Sequence, residues 1–286
     1  MSGDAIGANT LGVLAGCVLF GALAGAVGTF VLARRRALVA DVAGHAALPG
    51  VALAFLAGEA IGLGGRTAWL LLLGGAATAL LAAWCVPALA RLRRVGNDGA
   101  IAVTLAGFFG LGAVLFSVVQ SHPAGSQGGL RTLLFGSAAA MGRSEVVALA
   151  VLATATLALL LASFRGLTAV AFDESFARSA GLPVRALDLL LTVLLVATVV
   201  AGMQVAGIVL VVAMVITPAA AARALGGRIA RVTATAALIG AATAALGVVA
   251  SRTTTGVPTG AAMTLAATAA FLVALPSGRL LQRRTA

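Results

Sequence analysis

Nine stretches of about twenty apolar residues follow one another along the 286-residue chain, and nothing else restricts its folding as strongly. A run of that length matches the thickness of a bilayer's hydrocarbon layer. A segment placed there must satisfy its own backbone polar groups, so each run is expected to be a helix. Composition agrees. Only 9% of residues are charged, against about 25% in soluble domains, so the chain cannot coat a water-facing surface. The expected fold class is all-α, a polytopic transmembrane bundle of eight or nine spans forming one domain over residues 1–286.

The runs are Leu11–Ala33, Leu38–Ile61, Ala68–Ala90, Ala100–Gln120, Val146–Phe164, Ala186–Gln204, Ala206–Ala222, Val232–Ala250 and Val257–Leu275. Arginine clusters separate them, and every one of the nineteen basic residues is arginine. With the N-terminus outside and the C-terminus in the cytoplasm, fifteen arginines face inward, and only Arg66, Arg131, Arg143 and Arg252 face outward. That bias is the signature of positive-inside topology. It also accounts for the net charge of +11 without nucleic acid, for which no basic helix interleaved with aromatics is present. The N-terminal "MSGDAIGANT" lacks the basic region of a cleaved signal, so the first span is expected to be retained.

Two segments depart from this plan. Ser121–Arg143 contains an apolar piece too short to cross and is expected to be a re-entrant or surface helix on the outer side. Phe172–Pro183, "FDESFARSAGLP", is charged and amphipathic, with Phe172, Phe176 and Ala180 at helical spacing and a Gly-Leu-Pro stop. It is expected to be a short cytoplasmic helix. Gly12 with Gly16 and Gly21 with Gly25 are small pairs of the kind that let membrane helices approach closely. Cys17 and Cys85 stand singly in apolar runs and read as small hydrophobes.

Of the eight acidic residues, Asp41 alone falls well inside a predicted span. Counting from Arg36 at about 1.5 Å per residue, Asp41 lies about 7 Å into the membrane and His45 about 13 Å. Four residues apart, they share one helix face. A carboxylate oxygen beside an imidazole nitrogen suits a divalent transition metal, and intramembrane ionisable groups are functional by default. The competing reading is an Asp–His hydrogen bond that only locks the span. Pro49-Gly50 is expected to break the helix near the pair, as transporter helices do near a midplane site. One helix supplies two donors where such metals take about four, so a second copy of the chain would complete the set. His122 reads as a solvated loop residue and Asp188 as a juxtamembrane charge. Met203, Gln204, Thr217 and Pro218 either line a pathway or only shape packed helices.

No lysine means no P-loop, and no metalloprotease helix, nucleophile elbow, dinucleotide fingerprint or paired-cysteine motif occurs. The chain is not expected to be an enzyme, nor to hold a permanent cofactor.

Several motifs together resemble the metal-type ABC importer permeases, which take up manganese, zinc or iron. "RRRALVADVAGHAALPGVALAFLAG" is similar to their second-span signature and "GSQGGLRTLLFGSAAAM" to the Gly-Gln and Phe-Gly stretch of manganese-type members. "FDESFARSAGLPVRALDLLL" resembles their coupling segment and "AGIVLVVAMVITPAAAARAL" their late span. They occur in the same order and cover most of the chain from Arg34. The resemblance implies a bacterial inner-membrane permease with cytoplasmic ATP-binding subunits, an extracytoplasmic metal-binding protein and a paired second permease copy. It implies that Asp41 and His45 meet the transported ion. It also implies that Phe172, Asp173, Glu174, Phe176, Ala177, Gly181, Leu182 and Pro183 dock on the ATPase. One departure is visible: Thr254 and Thr255 precede Pro258 and Gly260 where many members carry an acid. The rival readings are a proton- or sodium-coupled secondary transporter, expected to show pseudo-symmetric halves, and an ABC permease for a metal chelate.

Overall fold

The computed structural model describes residues 3–62, 67–92, 95–121, 141–253 and 257–285. Among them are ten α-helices and no strand. These are α1 (Gly3–Ala33), α2 (Ala37–Ala60), α3 (Ala68–Ala90), α4 (Gly96–Ser121), α5 (Arg143–Phe172), α6 (Glu174–Ser179), α7 (Val184–Ala206), α8 (Ile208–Leu225), α9 (Ile229–Thr253) and α10 (Thr259–Thr285). Eight are long and apolar enough to cross a membrane, and α8 is a shorter apolar helix. The polytopic all-α architecture read from the apolar runs is therefore the observed one.

Helix α1 is the axis of the molecule. It packs against α9, α8, α5 and α7, and Phe20, Leu23 and Phe30 on it are wholly buried. Lipid tails are as apolar as leucine, so the hydrophobic effect does not drive helices together within the bilayer; close packing must. The sequence meets that demand with glycine. Gly21 of α1 lies directly against the backbone of Gly240 in α9, and Gly25 against that of Ala236, with no space for a methyl group at either. Gly12 and Gly16 of the same helix face Val146 and Leu149 of α5. Helices α2, α3 and α4 form a second group, joined to the first where α2 touches α7 and α8. There Gly50 of α2 and Gly74 of α3 meet backbone to backbone.

Two connections set the geometry. Between α1 and α2 the chain turns within Arg34–Arg36, with Arg35 at φ 55° and the Arg36 N–H bonded to the Val31 carbonyl at 2.8 Å. Between α7 and α8 the turn is Gly207 alone, at φ 82°. Gly202 lies against Val211, so the chain doubles back there; a side chain at residue 207 would be forced into the left-handed region that glycine tolerates.

Three boundaries differ from expectation. Helix α5 spans 30 residues and ends at Phe172, beyond the expected Val146–Phe164, because "RGLTAVA" continues the helix with no stop signal until Asp173. The short helix expected between the fifth and sixth spans is correspondingly α6, six residues long, with Phe172 closing the preceding helix and Ala180 serving as its C-cap. Helix α2, expected to break at Pro49-Gly50, runs through both. Pro49 has no N–H to bond the His45 carbonyl, yet the helix continues through it; there Gly112 of α4 abuts Leu48 and Pro49, and Gly74 abuts Gly50. His122, most of Ser121–Arg143, and Thr254 and Thr255 lie outside the described residues.

Candidate functional site

The N-terminal half of α2 carries the pair singled out by the sequence. His45 Nε2 stands 3.5 Å from Asp41 Oδ1, one helical turn apart. That separation is too long for a well-formed hydrogen bond, so the two groups do not lock each other. It does suit two donors of one ion: atoms about 2.1 Å from a common metal at a tetrahedral angle stand about 3.4 Å apart. The Asp41 side chain is 43% exposed and that of His45 23%. His45 Nδ1 is buried without a hydrogen-bond partner. The imidazole meets the Phe109 ring of α4 edge to face, with centroids 5.2 Å apart.

Along this stripe of α2, Leu38 is exposed and Asp41 and His45 are half-buried, while Leu48, Pro49 and Ala52 beyond them are buried. Helix α4 flanks it and presents most of its own surface outward. Phe109 and Val103 are among its exposed residues. Among the described residues no third histidine, cysteine or acid joins the pair. The described residues therefore offer an oxygen and a nitrogen on a partly exposed face and no complete ligand set.

At the arginine-rich end lies the second group of candidates. Asp173 caps α6: its Oδ1 accepts from the Ser175 hydroxyl at 2.6 Å, the Ser175 N–H at 2.8 Å and the Phe176 N–H at 3.1 Å. These bonds hold the Asp173 carboxyl below its ordinary range. Phe172 and Phe176 project into solvent, 86% and 64% exposed, while Ala177 turns inward against Val170 and Val184. Gly181 adopts φ 79° and lets the chain turn through Leu182 and Pro183 into α7. Two aromatic rings thus stand exposed, one at the end of α5 and one on the capped α6, as a knob on the surface.

Sequence reasoning passed over the charges behind this knob. Arg34 Nη2 reaches Glu174 Oε2 at 3.0 Å and Asp188 Oδ1 at 3.1 Å, and its Nη1 donates to the Val170 carbonyl at 3.0 Å. Arg36 Nη2 pairs with Asp188 Oδ2 at 3.1 Å, and its Nη1 donates to Thr192 Oγ1 at 3.3 Å. Asp188 is thus held by two arginines from the α1–α2 corner rather than standing as a lone juxtamembrane charge. The available signal was depth, because Asp188 and Arg34–Arg36 fall at the same end of their respective spans.

The other candidates lie in α7 and α8. Met203 and Pro218 are buried. Thr217 is half-buried, and Gln204 keeps its Oε1 buried without a partner. Beside Pro258, the Ser251 hydroxyl closes the α9–α10 turn by donating to the Val257 carbonyl at 2.8 Å. Gly260 abuts Ala206.

Comparison with known proteins places these features in a wider setting. The model of the ABC 3 transport family matches residues 8–277. The manganese transport system membrane protein MntC of Bacillus subtilis is 39% identical over 93% of this chain, which spans 60% of that relative's length. The zinc transport system membrane protein TroC of Treponema pallidum is 31% identical over 93% of this chain and 88% of its own. Among solved structures, PsaBC from Streptococcus pneumoniae in complex with Fab is similar with a TM-score of 0.83 and 31% identity, covering 96% of this chain and 94% of that one.

Proposed function

The chain belongs to the ABC 3 transport family, and on that premise we propose that it is the permease subunit of an ATP-driven importer of a divalent transition metal. Manganese is the first candidate, ahead of zinc and iron. The Gly-Gln and Phe-Gly stretch resembles manganese-type members, and the 39% identical Bacillus relative is named for manganese transport.

One observation carries the reading: an acid and an imidazole at a two-donor spacing, at membrane depth, on a face that the described residues cover only in part. A charged carboxylate facing lipid is costly, and such groups turn toward a bundle interior or a water-filled cavity. A second copy of the chain across the α2–α4 face would provide that cavity and raise the donors to two carboxylates and two imidazoles. The carboxylates would balance the ion's charge. The neutral imidazoles favour a transition metal over magnesium or calcium. A site this sparse releases its ion readily, as conduction demands.

The remaining parts follow the same plan. The N-terminus is outside and the C-terminus cytoplasmic, which puts α6 on the cytoplasmic side. There Phe172 and Phe176 dock on a separate ATP-binding subunit, with Asp173, Glu174, Ala177, Gly181, Leu182 and Pro183 shaping the knob. An extracytoplasmic metal-binding protein delivers the ion to the opposite side. ATP binding and hydrolysis rock the helices so that the Asp41–His45 site opens alternately outward and inward.

The complex of this chain with its ATPase, reconstituted in vesicles, tests the reading. ATP-dependent uptake of manganese is expected, weakened by competing zinc or iron according to the true preference. Asp41→Ala and His45→Ala are each expected to lower uptake at least about tenfold, as loss of metal-site partners does, while the ATPase still co-purifies. Wild-type uptake by both variants would remove the assignment of the site.

A further inference from the structure

The charge cluster at the α1–α2 corner has a shape that simple anchoring does not require. Helix α6 packs against α5 and α7, its neighbours in the chain, and reaches the α1–α2 corner by a side chain, Glu174 to Arg34 at 3.0 Å. The Arg34 side chain is only 16% exposed and divides one guanidinium between Glu174 on α6 and Asp188 on α7. Asp188 in turn holds Arg36, which is the N-cap residue of α2. From Arg36 to Asp41 the helix is continuous, about 7 Å of rigid backbone. The corner itself cannot absorb motion easily, since its three arginine N–H groups bond back to Phe30, Leu32 and Val31.

We propose that Arg34, Arg36, Asp188 and Glu174 are positioning residues that carry displacement of α6 to the N-terminal end of α2, and so to Asp41 and His45. The proposal rests on the importer reading above. A shift of α6 moves the Glu174 carboxylate, which pulls on the planar fork of Arg34. Arginine suits this task because its fork holds two carboxylates in fixed directions. Asp188 passes the pull to Arg36, and α2 tilts at the end nearest the pair. Glu174 is suited to the input end. It is 42% exposed and also binds Arg178 at 2.7 Å on the outer face of α6, and Arg34 and Arg178 hold its carboxyl below the ordinary range.

Counting ATP hydrolysed per metal ion imported, in vesicles containing the full complex and supplied with manganese, tests the relay. Glu174→Gln keeps the shape and removes the charge, and is expected to raise ATP consumed per ion at least fivefold with the ATPase still bound. Asp188→Asn is expected to do the same. Because residue 188 lies off the docking helix, its effect cannot arise from a damaged contact with the ATPase. Arg34→Lys keeps the charge but gives up the fork, and is expected to fall between. If either acid variant fails to assemble, the other decides alone. An unchanged ratio in an assembled acid variant, with the wild-type complex importing normally, overturns the relay and leaves the importer reading standing. A wild-type complex that imports no manganese, zinc or iron overturns both.

Discussion

Along α1, Gly21 and Gly25 bring the backbone of α9 so near that no methyl group fits between the helices. On the face of α2 that bears Asp41 and His45, α4 covers part of the imidazole through Phe109, but among the described residues nothing closes over Asp41, which remains nearly half exposed. The two regions are both membrane helices of similar apolar composition, yet one is finished within the chain and the other is not. In lipid a helix face is stabilised by atoms it touches rather than by water it escapes. A seam without voids is therefore a structural element, and a polar face left without contacts is a place where something else must come.

The contrast breaks most sharply at the seam. Gly21→Val places a branched side chain against the Gly240 carbonyl and the Ala244 methyl, and is expected to cost about 3 kcal/mol, the upper end for overpacking a filled interior. Thermal melting in detergent and the yield of folded protein would show it. A variant that melts with the wild type would mean that the seam has slack. A smaller loss is expected between the two regions. Phe109→Leu removes the ring edge-to-face with His45, worth about 1 kcal/mol, and is expected to lower metal affinity by freeing the imidazole to rotate.

At the open face the expected effect on stability is smaller still. Asp41→Asn should shift unfolding by less than about 0.5 kcal/mol, as a substitution away from packed features does, although uptake falls. A large destabilisation there would mark Asp41 as a structural residue and dissolve the contrast. The least effect comes from acid. Glu174 and Asp173 have carboxyls held below the ordinary 4.5 and 3.8, so the stability they contribute is fully present above those values and disappears as pH falls through the depressed ones. Both groups are largely solvated, so screening keeps the effect slight. Limited proteolysis of the α5–α7 connection is expected to begin only below about pH 4, while the seam stays protected.

Reading the residues in order was enough to locate the helices, the Asp41–His45 pair and the short segment around Phe176. Each of these signals is local: run length, a four-residue spacing, a charged amphipathic stretch between apolar ones. The continuation of α2 through Pro49 was not legible, because the residues packed against it there, Gly112 and Gly74, belong to other helices. The extension of α5 to Phe172 was missed for a different reason. Past Phe164 the apolar run ends at Arg165, and hydropathy marks the edge of the membrane rather than the edge of a helix.

What the sequence alone determined is that this chain must live in a bilayer as a helical bundle, since its apolar runs admit no other backbone arrangement there. It also determined that an acid and an imidazole share one turn inside the second span. Only the tertiary structure decided that the pair is half-buried beside Phe109 rather than sealed within the bundle, and that Asp188 belongs to Arg34 and Arg36. Those outcomes depend on contacts between residues more than 150 positions apart in the case of Asp188. Such contacts are set by how helices fit against one another, and spacing along a single helix does not encode them.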